Sequence, residues 1–147
     1  MGNYISIKEN FGQMSFKRSV YIYREETIKI GEENFIDSSF EDFEQGVIFE
    51  DDGNTGYFYA VNNGTNVLDA LHIYNVEDVI DKNIPSLVKI LWNEDLSLCF
   101  LSINNYIQAV FEFKNKAGFC RNGFQESNRN WIKEKNRLLT DDLLEKL

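Results

Sequence analysis

The stretch IFEDDGNTGYFYA, residues 48–60, places three acids, Glu50, Asp51 and Asp52, before a Gly-Asn-Thr-Gly turn and a Tyr-Phe-Tyr triplet. A calcium loop needs oxygen ligands at alternate positions over about 12 residues, closed by a bidentate Glu. Asp51, Asp52 and Asn54 are out of that register, and no acid follows in Gly-Tyr-Phe-Tyr-Ala. A hydrolytic carboxylate pair needs two side chains at a defined separation around a substrate. Neighbours on a tight turn do not supply that by themselves. A Gly-Asn pair between apolar runs is first of all a hairpin connection.

His72 is the single histidine, so a two-histidine metal motif cannot be built. A histidine-activated nucleophile would pair His72 with Cys99, Cys120 or a serine. Cys120, in AGFCRNGF beside Arg121, is expected to be a partly exposed thiol with a lowered pKa. Cys99 lies in an apolar run and reads as core. An enzyme or ligand-binding domain would put its pocket near His72, Tyr74 and Cys120. The simpler expectation is a structural histidine, hydrogen-bonded near Asp69 or Tyr74. GxGxxG, GxxxxGK[ST] and GxSxG are all absent, which argues against the common nucleotide-binding and hydrolase classes. No catalytic residue, cofactor or metal is expected.

Elements that would position these residues follow from periodicity. SVYIYRE and ETIKIG read as two strands, and YISIK as a short one. In ENFIDSSFEDFEQG, Ser38 and Ser39 followed by Glu41 and Asp42 resemble a helix start, predicting a short helical turn near residues 40–44 with Phe40 and Phe43 on one face. Strands are expected at 45–49, 56–61 and about 70–75, with NNGTN as a turn. After Pro85, LVKILW, LSLCFLSI and YIQAVFEF read as three strands joined by short polar turns. SLCFLSI is apolar on both faces and should be a central strand. From residue 127 onward a C-terminal helix is expected, with a second one starting at Thr140-Asp141-Asp142. The fold class is therefore α+β: a mainly antiparallel β-sheet, a meander of hairpins, with a C-terminal helix packed on one face. The 147 residues fit a single domain.

Aromatics make up 14% of the chain, enough bulk for a core. No signal peptide or membrane span is visible. Met-Gly-Asn-Tyr-Ile-Ser fits the myristoylation pattern at Gly2 and Ser6, but no polybasic second signal follows. Cys99 and Cys120 form no CxxC pair, so reduced cytoplasmic thiols are the expectation. Net charge is −9. Residues 24–54 hold eleven acids against Arg24 and Lys29, which accounts for the whole imbalance. Residues 114–137 hold seven bases against Glu126 and Glu134, so a polarised molecule is expected. Nucleic acid is a poor partner for this charge.

The runs GVIFEDDGNTGYFYAV, LDALHIYNV, IPSLVKILWNEDLSLCFLSINNYIQAVFEF and GFCRNGF resemble the bacterial family called domain of unknown function 2251, across about residues 46–125. The resemblance implies a small bacterial cytoplasmic protein and brings no catalytic residues. Together with the acidic, motif-free composition, it leads to the expectation of a binding protein. The sharpest version is an immunity protein, or antitoxin, that captures a basic toxin domain. The expected surface is Phe40, Glu41, Asp42, Glu44, Glu50, Asp51 and Asp52: aromatic anchors amid steering charge.

Overall fold

A computed structural model describes residues 3–5, 19–64, 66–122, 131 and 136–147, with the backbone alone for 3–5. Ten strands are present in this part: β1 (Asn3–Ile5), β2 (Val20–Ile28), β3 (Asn34–Phe40), β4 (Phe43–Asp51), β5 (Thr55–Asn62), β6 (Asn66–Asn75), β7 (Ser86–Asn93), β8 (Leu98–Ile103), β9 (Tyr106–Glu112) and β10 (Ala117–Cys120). A 3-10 turn spans Val76–Asp78, and one helix, α1, spans Asp141–Lys146. The protein is thus mainly antiparallel β-sheet with a short C-terminal helix.

Two sheets form. One has the order β1-β2-β7-β8-β9-β10 and the other β3-β4-β5-β6. β2 pairs with β7, so the four-stranded sheet is one contiguous excursion between them. Alternation along each strand decides what faces inward. Val47, Phe49, Phe58 and Leu71 from the smaller sheet share a buried cluster with Ile90, Trp92, Leu101 and Phe111 from the larger one. Phe58 stacks on Phe111 across this interior, ring centroids 4.9 Å apart. A second cluster gathers Leu91, Leu98, Phe100 and Val110 with Leu139 and Leu144. β8 therefore feeds both clusters, and all six of its residues are buried.

Local chemistry sets the turns. Asn104 and Asn105 both have positive φ, the conformation a tight two-residue hairpin requires. Asn93 closes the β7–β8 connection by accepting the N–H groups of Ser97 and Leu98, each at 2.9 Å. Thr140 caps α1 through its hydroxyl, which accepts from Leu143 N–H at 3.1 Å, where the sequence predicts a helix start. The helix expected from residue 127 is not present over 136–140, where Leu138 instead bridges Cys120 in parallel; most of the residues before that lie outside the described ones.

Two expectations are corrected. SVYIYRE and the start of ETIKIG run together as one strand, β2, ending at Ile28, with a register shift between Ile22 and Arg24 in place of a break. Residues 40–44 form no helical turn: Phe40 ends β3, Glu41 and Asp42 make the turn, and Phe43 opens β4. Tertiary contacts outweigh the helix-start signature. The Ser38 hydroxyl accepts the Trp92 indole N–H at 2.9 Å inside the core. The Phe40 ring meets Tyr23 and Trp92, both at 5.3 Å.

One buried ion pair ties the C-terminal segment to both sheets. Arg137 donates to the Asp69 carboxylate and, through Nε, to the Gly118 carbonyl. Burial lowers the Arg137 pKa, and the Asp69 charge partly offsets this. We expect Arg137→Met to cost about 3–5 kcal/mol, because it removes the cation that faces a buried carboxylate. Urea unfolding checks this, and adding Asp69→Leu should recover part of the loss.

Candidate functional site

The seven residues singled out in the sequence all lie on the β3–β4 ribbon or its flanking turns, and they divide into two groups. Glu41, Asp42 and Glu44 are exposed at the hairpin tip. With Ser39, Phe40, Phe43, Asn63 and Gly64 they line an open depression. Phe40 is half-buried and anchors the tip through Tyr23 and Trp92. Phe43 is 37% exposed, its ring centroid 6.3 Å from that of Phe40. Sequence reasoning put these two phenylalanines side by side on a helix; cross-strand pairing brings them together instead.

Glu50, Asp51 and Asp52 lie toward the other end of the ribbon. Alternation turns Asp51 inward, and its exposure is only 1%. Its carboxylate accepts Gly31 N–H at 2.8 Å, Gly53 N–H at 2.8 Å and the Tyr74 hydroxyl at 2.7 Å. Both glycines have positive φ, which brings their N–H groups round at little steric cost. Burial, then the bond to Asp51, push the Tyr74 phenol well above its ordinary range. Asp51 is thus an interior fixture and leaves the proposed surface. Asp52 is exposed and accepts the N–H groups of Asn54 and Thr55, each at 2.8 Å. Those backbone donors, Thr55 first, hold its carboxyl below the usual range. Glu50 is half-buried on the outer face, opposite Tyr57 in register.

This answers the question raised by the acidic turn. Among the described residues, no group of three or more His, Cys, Asp or Glu is placed to hold a metal. Among them, too, no helix is long and apolar enough to cross a membrane.

The arrangement at His72 and Cys120 differs from the expectation. Cys120 is buried in the inter-sheet cluster, and its thiol meets the backbone carbonyl of His72 at 3.5 Å. The imidazole stacks on Tyr57, centroids 4.8 Å apart. Burial raises the Cys120 pKa, outweighing the nearby backbone donors, Arg137 and Arg121. The expected lowered pKa is therefore reversed. Asp69, proposed as a histidine partner, instead holds Arg137.

The charge asymmetry extends beyond the 24–54 window. Residues 30–81 contain thirteen acids and no lysine or arginine. That span includes the whole four-stranded sheet. Four ion pairs join described residues: Lys89–Glu25, Lys114–Asp95, Arg121–Asp141 and Arg137–Asp69. Only the last takes an acid from this span, and it is buried.

Residues 28–147 match the family described as "Uncharacterized protein conserved in bacteria (DUF2251)". The match extends beyond both ends of the stretch that carries the resemblance in the sequence. The chain is also 33% identical over 114 residues to an "Uncharacterized protein" of Haemophilus influenzae, covering 75% of this chain and 71% of that one. No solved structure matches.

Two outcomes follow from this geometry. Asp51→Ala should cost about 3 kcal/mol in denaturant unfolding, because buried donors lose their acceptor, whereas Tyr74→Phe should cost about 1 kcal/mol. Because its folded pKa is raised, the Cys120 thiol carries less thiolate at pH 8 than in the unfolded chain. Iodoacetamide should therefore modify it far more slowly in the native protein than in urea, with mass spectrometry as the readout.

Proposed function

This chain belongs to the DUF2251 family, and on that premise we propose that it is a binding protein, an immunity protein (antitoxin) that neutralises a basic bacterial toxin domain by direct contact. The observation that carries this reading is the cation-free span, thirteen acids from 30 to 81 with no lysine or arginine among them. A surface of one sign collects counter-charged partners from a distance and speeds their encounter. Many toxins, nucleases especially, are basic because they hold nucleic acid. Recognition asks only for a complementary exterior, which suits a chain without catalytic motifs.

In this reading the contact begins at the hairpin tip, where Glu41, Asp42 and Glu44 surround Phe40 and Phe43. Glu50 and Asp52 extend it along the ribbon. The chain acts as one domain in the cytoplasm, with no turnover, cofactor, nucleic acid or membrane involved. The meander of hairpins and the C-terminal helix on one face serve as its rigid frame.

The test begins with pull-down from the native host and mass spectrometry, followed by stopped-flow association with the basic protein recovered. The association rate should fall about tenfold or more between low and physiological salt. The triple variant Glu41→Lys, Asp42→Lys, Glu44→Lys should associate at least about tenfold more slowly, with an unchanged urea midpoint, since exposed charges contribute little to stability. An unaltered rate in that variant would remove the tip from the mechanism.

A further inference from the structure

The outer face of the four-stranded sheet is fixed by register and alternation. Phe35, Glu50, Tyr57 and His72 form one row across β3–β6, and Asp37, Ile48, Tyr59 and Ala70 form the next. Phe35, Ile48, Tyr57 and Tyr59 belong to neither buried cluster. Phe35 is 60% exposed, and the two tyrosines are half-buried.

Three of these rings form a column. Tyr59 lies on Tyr57 with centroids 5.7 Å apart and planes 12° apart. Tyr57 lies on His72 at 4.8 Å and 9°. Glu50 stands beside the column; burial first, then the Glu50 charge, raise the Tyr59 phenol pKa. None of this sheet's own strands contains lysine or arginine.

We propose that this face is a docking surface for an arginine-bearing segment of a basic protein, whose guanidinium continues the ring column at Tyr59 while Glu50 takes its charge. The inference rests on the binding reading above and adds the chemistry that the partner must present. A guanidinium is planar, weakly hydrated and stacks on aromatic faces, whereas an ammonium is a compact, strongly hydrated point charge. Elsewhere in this chain the same pairing occurs: the Arg121 guanidinium sits 4.6 Å above the centroid of Tyr106. Nucleobases also stack on such rings, but their phosphates are repelled here. A second copy would set Asp37 and Glu50 of one face near those of another with no lysine or arginine on either sheet, which like-charge repulsion opposes.

The experiment uses the full chain and two capped peptides, one alternating arginine with glycine and the other alternating lysine with glycine. Binding is followed by calorimetry and by aromatic resonances in NMR. The arginine peptide should bind about fivefold or more tightly than the lysine peptide and shift the ring signals of Tyr57 and Tyr59. Tyr59→Leu, which keeps apolar bulk and removes the π-face, should abolish that preference, as should Tyr57→Ala with Tyr59→Ala. Equal affinity for the two peptides, unchanged by Tyr59→Leu, would overturn the inference while leaving charge-driven capture standing. Failure of both peptides to bind would overturn both readings. A concentration-dependent dimer that Tyr59→Leu dissolves would assign the face to a second copy and overturn the inference as well.

Discussion

Asp51 is the pivot of this structure. A carboxylate at 1% exposure must find donors, because an unpaired buried charge is too costly to keep. It finds one locally, Gly53 two residues on, and two far off in sequence, Gly31 between β2 and β3 and Tyr74 on β6. One side chain thereby fixes one end of the four-stranded sheet. It also settles the facing of its neighbours. With Asp51 inward, alternation sends Glu50 to the outer face, and the turn leaves Asp52 exposed. The facing of Glu50 and Asp52 is therefore set by the residue that is hidden.

The division of labour between the sheets follows. In the six-stranded sheet, β7, β8, β9 and β10 each supply residues to both buried clusters. Among the described residues, the four-stranded sheet contributes its inner face to the shared cluster, and Phe35, Ile48, Tyr57 and Tyr59 of its outer face belong to neither cluster. Thirteen acids without a lysine or arginine in 30–81 repel one another, a standing cost to the compact state. Among the described residues, one ion pair takes an acid from this span, Arg137–Asp69. Arg121 and Lys114 pair with Asp141 and Asp95, and Arg137 is spent inside the core. The exposed acids of this sheet are thus carried by a core built largely from the other.

Much of the architecture was legible because its signals are local. The apolar runs of β7, β8 and β9 end at Asn-rich turns, and Thr140 with two following acids marks α1. What misled were residues whose role depends on distant partners. Ser38 and Ser39 carry a capping signature, yet Ser38 is the acceptor for Trp92, 54 positions away. Cys120 beside Arg121 suggested an activated thiol, but β10 lies under the C-terminal segment, where Cys120 N–H bonds to Arg137 and Leu139 N–H bonds back to Cys120. Asp51 and Asp52 are chemically alike and adjacent; only the turn and the strand phase tell the buried one from the exposed one.

The ring column shows the same boundary from the other side. Tyr57 and Tyr59 flank the buried Phe58, so alternation alone puts them together on one face. That His72 joins them was not readable. β5 and β6 slip register between Gly56 and Tyr57 and again between Ala60 and Val61, and a strand pairing with two irregularities leaves no trace in composition. Without the slip at Gly56, continuing that register would set Tyr57 against Ile73, an inward-facing core residue, in place of His72. The bulge thus re-phases one strand against its neighbour and completes a stack of three rings beside Glu50. Such an irregularity, placed where it re-aims a side chain on the open face, ties this sheet's geometry to its exterior as firmly as Asp51 ties it to the core.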